Sequence, residues 1–131
     1  MNIDLFLPFP PTINNYYVKT SRGMFISQKG RLFRDTTQAE VLKQLGDFEP
    51  ITDRIHVSVV LYPPDKRKRD LDNYMKPLLD ALTHSQLWID DSIIDQLHIF
   101  RGETVTKPKS GIRLEINLAA PILPLGLKEI P

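Results

Sequence analysis

The sequence predicts one α/β (α+β) domain, in which a small mixed β-sheet carries two helices on one face. Three observations favour this fold class. The chain has 131 residues, 41% of them hydrophobic and 25% charged, which is typical of a single globular domain with one core. Four segments have the alternation or the β-propensity of strands, and two longer segments have helical periodicity. The second helical segment stands between two strand segments, as in a right-handed β-helix-β crossover.

The first half of the chain contains a strand, a hairpin and a helix. Residues 3–7, IDLFL, form a short strand that the prolines of PFPP end. Residues 16–27 indicate a β-hairpin at the edge of the sheet, with its turn at residues 21–23. Residues 31–45 predict a moderately amphipathic helix that ends before GDFEP. The predicted apolar face of this helix consists of Leu32, Ala39, Leu42 and Leu45.

The second half supplies three more strands and the clearest helix. Residues 55–62, IHVSVVLY, alternate well, and residues 93–101 and 112–118 complete the sheet. Residues 71–83 predict a helix, and Pro77 inside it is expected to kink it or to make its first turns irregular. The helical face consists of Leu71, Tyr74, Met75, Leu78, Leu79 and Leu82. We assign residues 1–118 to the domain and residues 119–131 to an irregular, proline-containing tail.

The distribution of charge is more informative than its total. The net charge is only +1, and the absence of cysteine excludes disulfides and thiolate metal sites. Residues 16–34 carry five cations and no acid, whereas residues 70–95 carry six acids and one cation. A basic surface around an acidic centre is expected where a protein binds a polyanion and holds divalent cations. The N-terminus predicts neither a signal peptide nor a membrane span, so we expect a cytoplasmic protein.

The stretch DKRKRDLDN concentrates both signs at a predicted helix start. Its four cations are Lys66, Arg67, Lys68 and Arg69, and two carboxylates follow at Asp70 and Asp72. Each residue also has a structural interpretation. Asp70 is a good N-cap, and Asp72 complements the helix dipole or pairs with Lys76. Asp90 and Asp91 suit a turn, and the cations suit a solvated loop.

Taken together, the same residues predict a metal site. A helix N-terminus already favours a phosphate, and Asp70 and Asp72 can both lean towards it. The crossover is expected to bring Asp90 and Asp91 close to the same helix start. Three converging carboxylates form an all-oxygen site for Mg²⁺ or Mn²⁺, and the four cations upstream would bind the backbone of the nucleic acid.

Over KRKRDLDNYMKPLLDAL and LWIDD, the sequence strongly resembles the RusA family of Holliday junction resolvases, small endodeoxyribonucleases of bacteria and their phages. The shared pattern is a basic loop, R-D-x-D-N, a helix lysine, an LDAL-like stretch and an aromatic-x-D-D turn. The resemblance implies a RusA-like fold, with Asp70, Asp72 and Asp91 as metal ligands and Lys76 as the essential lysine. Asp90, beside Asp91, ranks second as a ligand.

The resemblance also implies an assembly and a substrate. Family members work as homodimers on four-way DNA junctions, with Mg²⁺ or Mn²⁺, and make paired nicks in opposed strands. LPFPPTINNYY is similar to the proline-rich opening of the family, so we expect Asn14, Asn15 and Tyr16 to contact DNA. Tyr16 suits core packing at least as well as stacking on a base.

The predicted function is therefore a metal-dependent Holliday junction resolvase of recombination and repair, from a bacterium or encoded by a phage or prophage. Two alternatives stay open. One is a general nuclease that acts on forks and flaps, since it needs the same metal centre. The other is a catalytically silent module that binds DNA junctions, although carboxylates repel phosphate unless a metal bridges them.

Overall fold

The structure is a computed structural model that describes residues 2–118. The tail predicted over residues 119–131 lies outside the described residues. The elements follow in chain order as β1 (Asn2–Leu7), α1 (Ile13–Tyr16), β2 (Tyr17–Thr20), β3 (Gly23–Ile26), α2 (Gln28–Leu45), β4 (Ile55–Tyr62), α3 (Met75–His84), β5 (Ile94–Arg101) and β6 (Gly111–Asn117). Two 3₁₀ turns, Leu71–Tyr74 and Asp91–Ile93, precede α3 and β5 respectively.

Four strands form the predicted mixed sheet, in the order β1-β6-β4-β5. β4 and β5 run parallel, with Val59 opposite Ile99, while β6 lies antiparallel to β4 and to β1. The chain passes from β4 through α3 to β5, so the predicted β-helix-β crossover is confirmed. All four predicted strand segments pair in this sheet, and the mixed α+β fold class is confirmed.

The hydrophobic core lies between one face of the sheet and the helices. Alternate residues of β4 and β6 are fully buried, among them Val57, Val59 and Leu114. They belong to the same cluster as Leu78 and Leu82 of α3. Burial of apolar area at about 25 cal/mol per Å² makes this layer the main source of folding free energy.

The predicted apolar face of α2 is wrong at Leu32, Ala39 and Leu42, which are exposed, and only Leu45 packs against the core. Leu32 and Leu42 are 67% and 54% exposed, and Phe33, Thr37 and Val41 face the core instead. Leu42 lies nine residues after Phe33, about two and a half helical turns, and therefore on the opposite side of the helix. Apolar residues occur all round α2, so periodicity alone did not identify the buried side.

The start of α3 is irregular, as Pro77 predicts. A 3₁₀ turn covers Leu71–Tyr74, and the α-helix begins only at Met75. Pro77 is then the third helical residue, where a backbone N–H has no acceptor within the helix, so the missing donor costs nothing. The predicted face is confirmed at Tyr74, Met75, Leu78 and Leu82, which are all buried.

The hairpin does not extend the main sheet, contrary to the prediction. β2 and β3 pair only with each other, and Tyr16 belongs to the helical turn α1. A side chain from α2 occupies the outer edge of β1. Gln44 accepts a hydrogen bond from the Phe6 N–H (3.0 Å) and donates one to the Phe6 carbonyl (2.7 Å). These bonds satisfy edge groups that a further strand would need.

Candidate metal and DNA-binding site

The basic loop, residues 65–69, is organised around one carboxylate. Asp65 accepts hydrogen bonds from the Arg67 backbone N–H (3.0 Å) and from Nη1 of Arg69 (2.8 Å). The bond from Arg69, followed by those from Arg67, holds the pKa of the Asp65 carboxyl well below its usual range. The Asp65 carboxylate is therefore ionised near neutral pH, and its hydrogen bonds to Arg67 and Arg69 hold the loop in one conformation.

Arg69 has a structural role within the basic loop. Its side chain is only 10% exposed, and Nη1 also donates to the Asp65 carbonyl at 3.0 Å. Its guanidinium carbon lies 5.7 Å from the ring centroid of Phe9, at cation–π distance. Lys66, Arg67 and Lys68 are exposed. Direct DNA contact by any of the four cations stays a prediction. Lys66 and Lys68 have the freer side chains, since Arg67 Nε donates to the Asp65 carboxylate at 3.2 Å.

Asp70 and Asp72 stand at the 3₁₀ turn that follows the loop, and both are exposed. The Asp70 side chain caps no N–H; only its carbonyl accepts a bond, from the Asn73 N–H at 3.2 Å. The N-cap interpretation of the Asp70 carboxylate is therefore wrong. Within residues 2–118, neither carboxylate has a hydrogen-bond or ion-pair partner, and the proposed pair of Asp72 with Lys76 does not form.

Asp90 and Asp91 lie at the other 3₁₀ turn, before β5. The Ser92 side chain and the Ser92 N–H bond to Asp90, and these bonds lower the pKa of its carboxyl. The N–H to Asp90 Oδ2 distance is 3.2 Å, which makes Asp90 a cap. Asp91 is exposed. Trp88 anchors the connection leading to them, because it is buried and its Nε1 donates to Thr83 Oγ1 at 2.7 Å.

The predicted convergence of these carboxylates within one chain is wrong. Arg101, at the end of β5, donates to the Arg69 carbonyl at 2.8 Å, so Asp70 lies beside that end of the strand. Asp91 lies three residues before Ile94, where β5 begins. The eight residues of β5 span roughly 23 Å at about 3.3 Å per residue. Over residues 2–118, no group of three or more acids and histidines stands ready to hold a metal ion.

The physical reason is the crossover itself. A helix that connects two parallel strands begins near the end of the first strand and finishes near the start of the second. Asp70 precedes that helix and Asp91 follows it, so the two residues lie at opposite ends of the parallel strands β4 and β5. Lys76 is exposed in the first turn of α3, at the same end as Asp72. The structure therefore brings Asp70, Asp72 and Lys76 to one region and leaves Asp91 apart.

The three predicted DNA contacts before the hairpin have different surroundings. Asn14 and Asn15 are exposed on α1 and remain candidates. Tyr16 is fully buried, so the prediction that it contacts DNA is wrong. Its hydroxyl donates to Asp80 and accepts from Nε of Arg34 (2.7 Å). Burial, reinforced by the bond to Asp80, raises the pKa of Tyr16, which keeps this hydroxyl a proton donor.

The sequence did not predict this partly buried network as a unit. Arg34 Nη2 also donates to Asp80 Oδ2 at 2.7 Å, so Tyr16, Arg34 and Asp80 tie α1, α2 and α3 together. Asp80 belongs to the LDAL stretch, whose acid stands on an otherwise apolar helix turn. A half-buried carboxylate requires paired donors. An acid on an otherwise apolar helix turn therefore indicates that donors must lie nearby, but the sequence does not identify Tyr16 and Arg34 as those donors.

Comparison with known proteins gives the family. A family model described as Endodeoxyribonuclease RusA matches residues 8–118. The chain belongs to the RusA endodeoxyribonuclease family. It is 35% identical over 108 residues to the crossover junction endodeoxyribonuclease of Enterobacteria phage HK97, covering 82% of this chain and 89% of that protein. It is 32% identical over 112 residues to the Escherichia coli K12 protein of the same name, covering 86% and 89%.

A third RusA relative is the enzyme of Enterobacteria phage 82, also named a crossover junction endodeoxyribonuclease. It is 35% identical over 116 residues, which cover 86% of this chain and 89% of that protein. The RusA match includes the basic loop, both 3₁₀ turns and α3, and the family resemblance stated from the motifs is confirmed. No helix described in residues 2–118 is long and apolar enough to cross a membrane.

Proposed function

We propose that this protein is a crossover junction endodeoxyribonuclease, which hydrolyses phosphodiesters in opposed strands of four-way DNA junctions during recombination and repair. One observation carries the proposal. A chain of the RusA family presents two exposed, unpaired carboxylates directly after an ordered basic loop. Acids in that position would repel DNA unless a divalent cation lay between them and a phosphate. The relatives are from phages and from Escherichia coli, so we infer a bacterial or phage gene and a cytoplasmic substrate.

The residues of this turn fit Mg²⁺ or Mn²⁺. Both ions prefer oxygen ligands, and Mg²⁺ is usually held by one or two carboxylates, with water and phosphate oxygens completing its coordination. Asp70 and Asp72 provide that donor set in an exposed position that DNA can reach. When bound there, the ion would lower the pKa of a coordinated water and stabilise charge on the departing oxygen. Asp90 is a weaker candidate ligand, because Ser92 already occupies its carboxylate.

Asp91 enters this proposal through a second copy of the chain. A junction has two-fold symmetry and needs two opposed cuts, which suits a two-fold homodimer with one site per chain. Within one chain, Asp91 lies near the start of β5 and Asp70 lies near its end. We propose that the partner subunit places its Asp91 beside Asp70 and Asp72, so that each metal site is complete only in the dimer.

The cations have two separate tasks in this mechanism. Lys76 stands in the first turn of α3, near Asp72, and would stabilise negative charge that develops on the phosphoryl oxygens. Lys66, Arg67 and Lys68 would bind neighbouring backbone phosphates, while Arg69 keeps the loop in shape. Phosphate contacts position DNA and carry no sequence information. The loop therefore contributes affinity, and the substrate preference must come from elsewhere.

A complementation experiment tests the shared site. Asp70→Asn and Asp91→Asn homodimers should each fail to cut a synthetic four-way junction in Mg²⁺. A purified heterodimer of the two variants, made by co-expression with two tags, should regain single-strand nicking. One of its two sites would combine the intact Asp70 of one chain with the intact Asp91 of the other. An inactive heterodimer, beside an active wild-type protein, would show that the sites are not shared.

The substrate panel tests the function itself. Wild-type protein should cut the four-way junction in Mg²⁺ or Mn²⁺, make no cut in EDTA, and leave linear duplex intact. Cleavage of forks and flaps at the same rate would instead indicate the general structure-specific nuclease. Binding to junctions without cleavage under any metal condition would indicate the silent binding module.

A further inference from the structure

A groove of about 630 Å³ lies next to the candidate site. It is lined by the proline segment (residues 8–12), the first half of α2, the basic loop and Lys107. This volume falls within the range of roughly 300–1,000 Å³ that is usual for small-molecule sites. It is large enough for a nucleotide.

The residues that line the groove are of two chemical kinds, apolar and cationic. Phe9, Phe33 and Tyr74 contribute aromatic atoms to the lining, and the Phe9 and Tyr74 rings meet edge to face with centroids 5.0 Å apart. Phe33 and Tyr74 are largely buried, so Phe9 and Leu32 offer more of the apolar surface. Leu32 adds an aliphatic side chain that is 67% exposed. The polar amide of Asn15 stands among them. A flat apolar ligand with a few polar edge atoms suits this lining.

The charged residues that line the groove are all positive. Of the described residues that line the groove, none is acidic, and five are cationic: Lys29, Arg67, Lys68, Arg69 and Lys107. They come from α2, from the basic loop and from the loop before β6, so three separate parts of the chain contribute. Apolar surface combined with cationic side chains is the arrangement that binds single-stranded nucleic acid, because bases stack while phosphates contact cations.

The groove is also close to the carboxylates. Arg69 lines it and is followed directly by Asp70. A nucleotide in the groove would therefore have its own backbone phosphate, or the next one, near Asp70 and Asp72. Base-paired DNA cannot use the groove unless a base leaves the stack, which costs a few kcal/mol and least where pairing is already interrupted. The exchange point of a junction is such a place.

We propose that this groove captures an unpaired base at the branch point, next to the phosphodiester that is cut. The captured base selects branched DNA over linear duplex, because duplex must first lose a base pair. Asn15, the amide among the apolar side chains, is placed to read the edge of that base. This inference rests on the proposed nuclease function and specifies which part of the substrate the site binds.

Fluorescence of 2-aminopurine tests the capture independently of cleavage. The Asp72→Asn variant, in EDTA, is mixed with junctions that carry 2-aminopurine at one branch-point position at a time. We expect a severalfold rise in fluorescence at one position, because the base leaves its quenching neighbours, and no rise in linear duplex. Failure to bind the junction, or no rise at any branch-point position, would overturn the proposal.

A matched pair of leucine variants links the signal to the groove. In the Asp72→Asn background, Leu32→Gln should abolish the rise and weaken junction binding about fivefold or more, the lower end of what base stacking contributes. Duplex affinity should not change. Leu42→Gln, on the same helix but outside the groove, should behave as the Asp72→Asn parent. Equal losses in both variants, or an equal loss on duplex, would overturn the proposal.

These outcomes are separate from those of the proposed function. A wild-type protein that cuts junctions but whose Asp72→Asn variant shows no 2-aminopurine signal contradicts only the captured base. A wild-type protein that cuts no branched DNA contradicts the nuclease proposal, whatever the fluorescence shows.

Discussion

Replacing Asp80 by asparagine tests whether the network of Tyr16, Arg34 and Asp80 supports the fold. The Asp80 carboxylate accepts from the Tyr16 hydroxyl and from Arg34, and the Arg34 and Asp80 side chains are 24% and 31% exposed. A hydrogen bond to a charged group contributes about 1.5–3 kcal/mol. Asparagine keeps one acceptor oxygen and loses the charge, so we expect Asp80→Asn to lower the free energy of unfolding by about 2 kcal/mol.

The loss of stability in Asp80→Asn should be larger at neutral pH than in acid. Burial raises the pKa of Asp80, but hydrogen bonds from Tyr16 and Arg34 outweigh it and hold the pKa below its ordinary value. Because the folded pKa is lower than the unfolded value of about 3.9, the ionised group stabilises the fold above that pH. This contribution is lost as pH falls through the folded pKa. The wild type and Asp80→Asn should therefore differ most above about pH 5 and converge in acid.

Urea unfolding and thermal melting measure both effects. For a chain of this size about 2 kcal/mol corresponds to a fall in Tm of about 8 °C. Tyr16→Phe removes only the hydroxyl donor, and a double-mutant cycle with Asp80→Asn should give a coupling free energy of about 1 kcal/mol. The matched control is Asp35→Asn, an exposed acid on α2, which should stay within about 0.5 kcal/mol of wild type. Equal stability of Asp80→Asn and Asp35→Asn at pH 7 would refute the reasoning.

Three shorter predictions concern the basic loop, the contact of Gly30 on α2 with Tyr16, and the candidate metal site. Changing Lys66 and Lys68 to glutamine should flatten the slope of log K against log[salt] for DNA binding by about 0.9 per lost contact, and an unchanged slope would return them to a solvated loop. Gly30→Ala should cost about 1–3 kcal/mol in urea unfolding, because its Cβ would lie 2.5 Å from the Tyr16 carbonyl oxygen. Asp70→Asn should leave Tm unchanged while cleavage falls by orders of magnitude; a lowered Tm would point to a capping role that the structure does not show.

The elements with strong local patterns were predicted from the sequence, and those that depend on tertiary contacts were not. In β1, β4, β6 and α3 the alternation or the helical spacing coincides with burial, whereas β5 was recognised although none of its residues is fully buried. On α2 the pattern was misleading, since Leu32 is exposed while Thr37 is buried. The hairpin was misplaced because Gln44, far away in sequence, occupies the edge of β1. Such contacts leave no local periodic signal.

The candidate site was predicted as a set of residues but not as a geometry. A motif reports which side chains are present, and Asp70, Asp72 and Lys76 also lie close together in sequence, so their proximity follows from the chain itself. Asp91 is different, because one helix and one connection separate it from Asp72. The crossover places it at the opposite end of the parallel strands β4 and β5. A folded single chain cannot close that distance without breaking the pairing of β4 and β5. If Asp91 acts with Asp70, a second chain has to bring the two residues together, and the metal site and the dimer interface then depend on each other.

Dilution that dissociates the dimer should therefore abolish Mg²⁺ binding and cleavage together. Analytical ultracentrifugation would measure the dimer, calorimetry Mg²⁺ binding, and a junction assay cleavage, all across the same concentration range. Mg²⁺ binding that persists unchanged in the monomer would show that Asp70 and Asp72 hold the ion without Asp91.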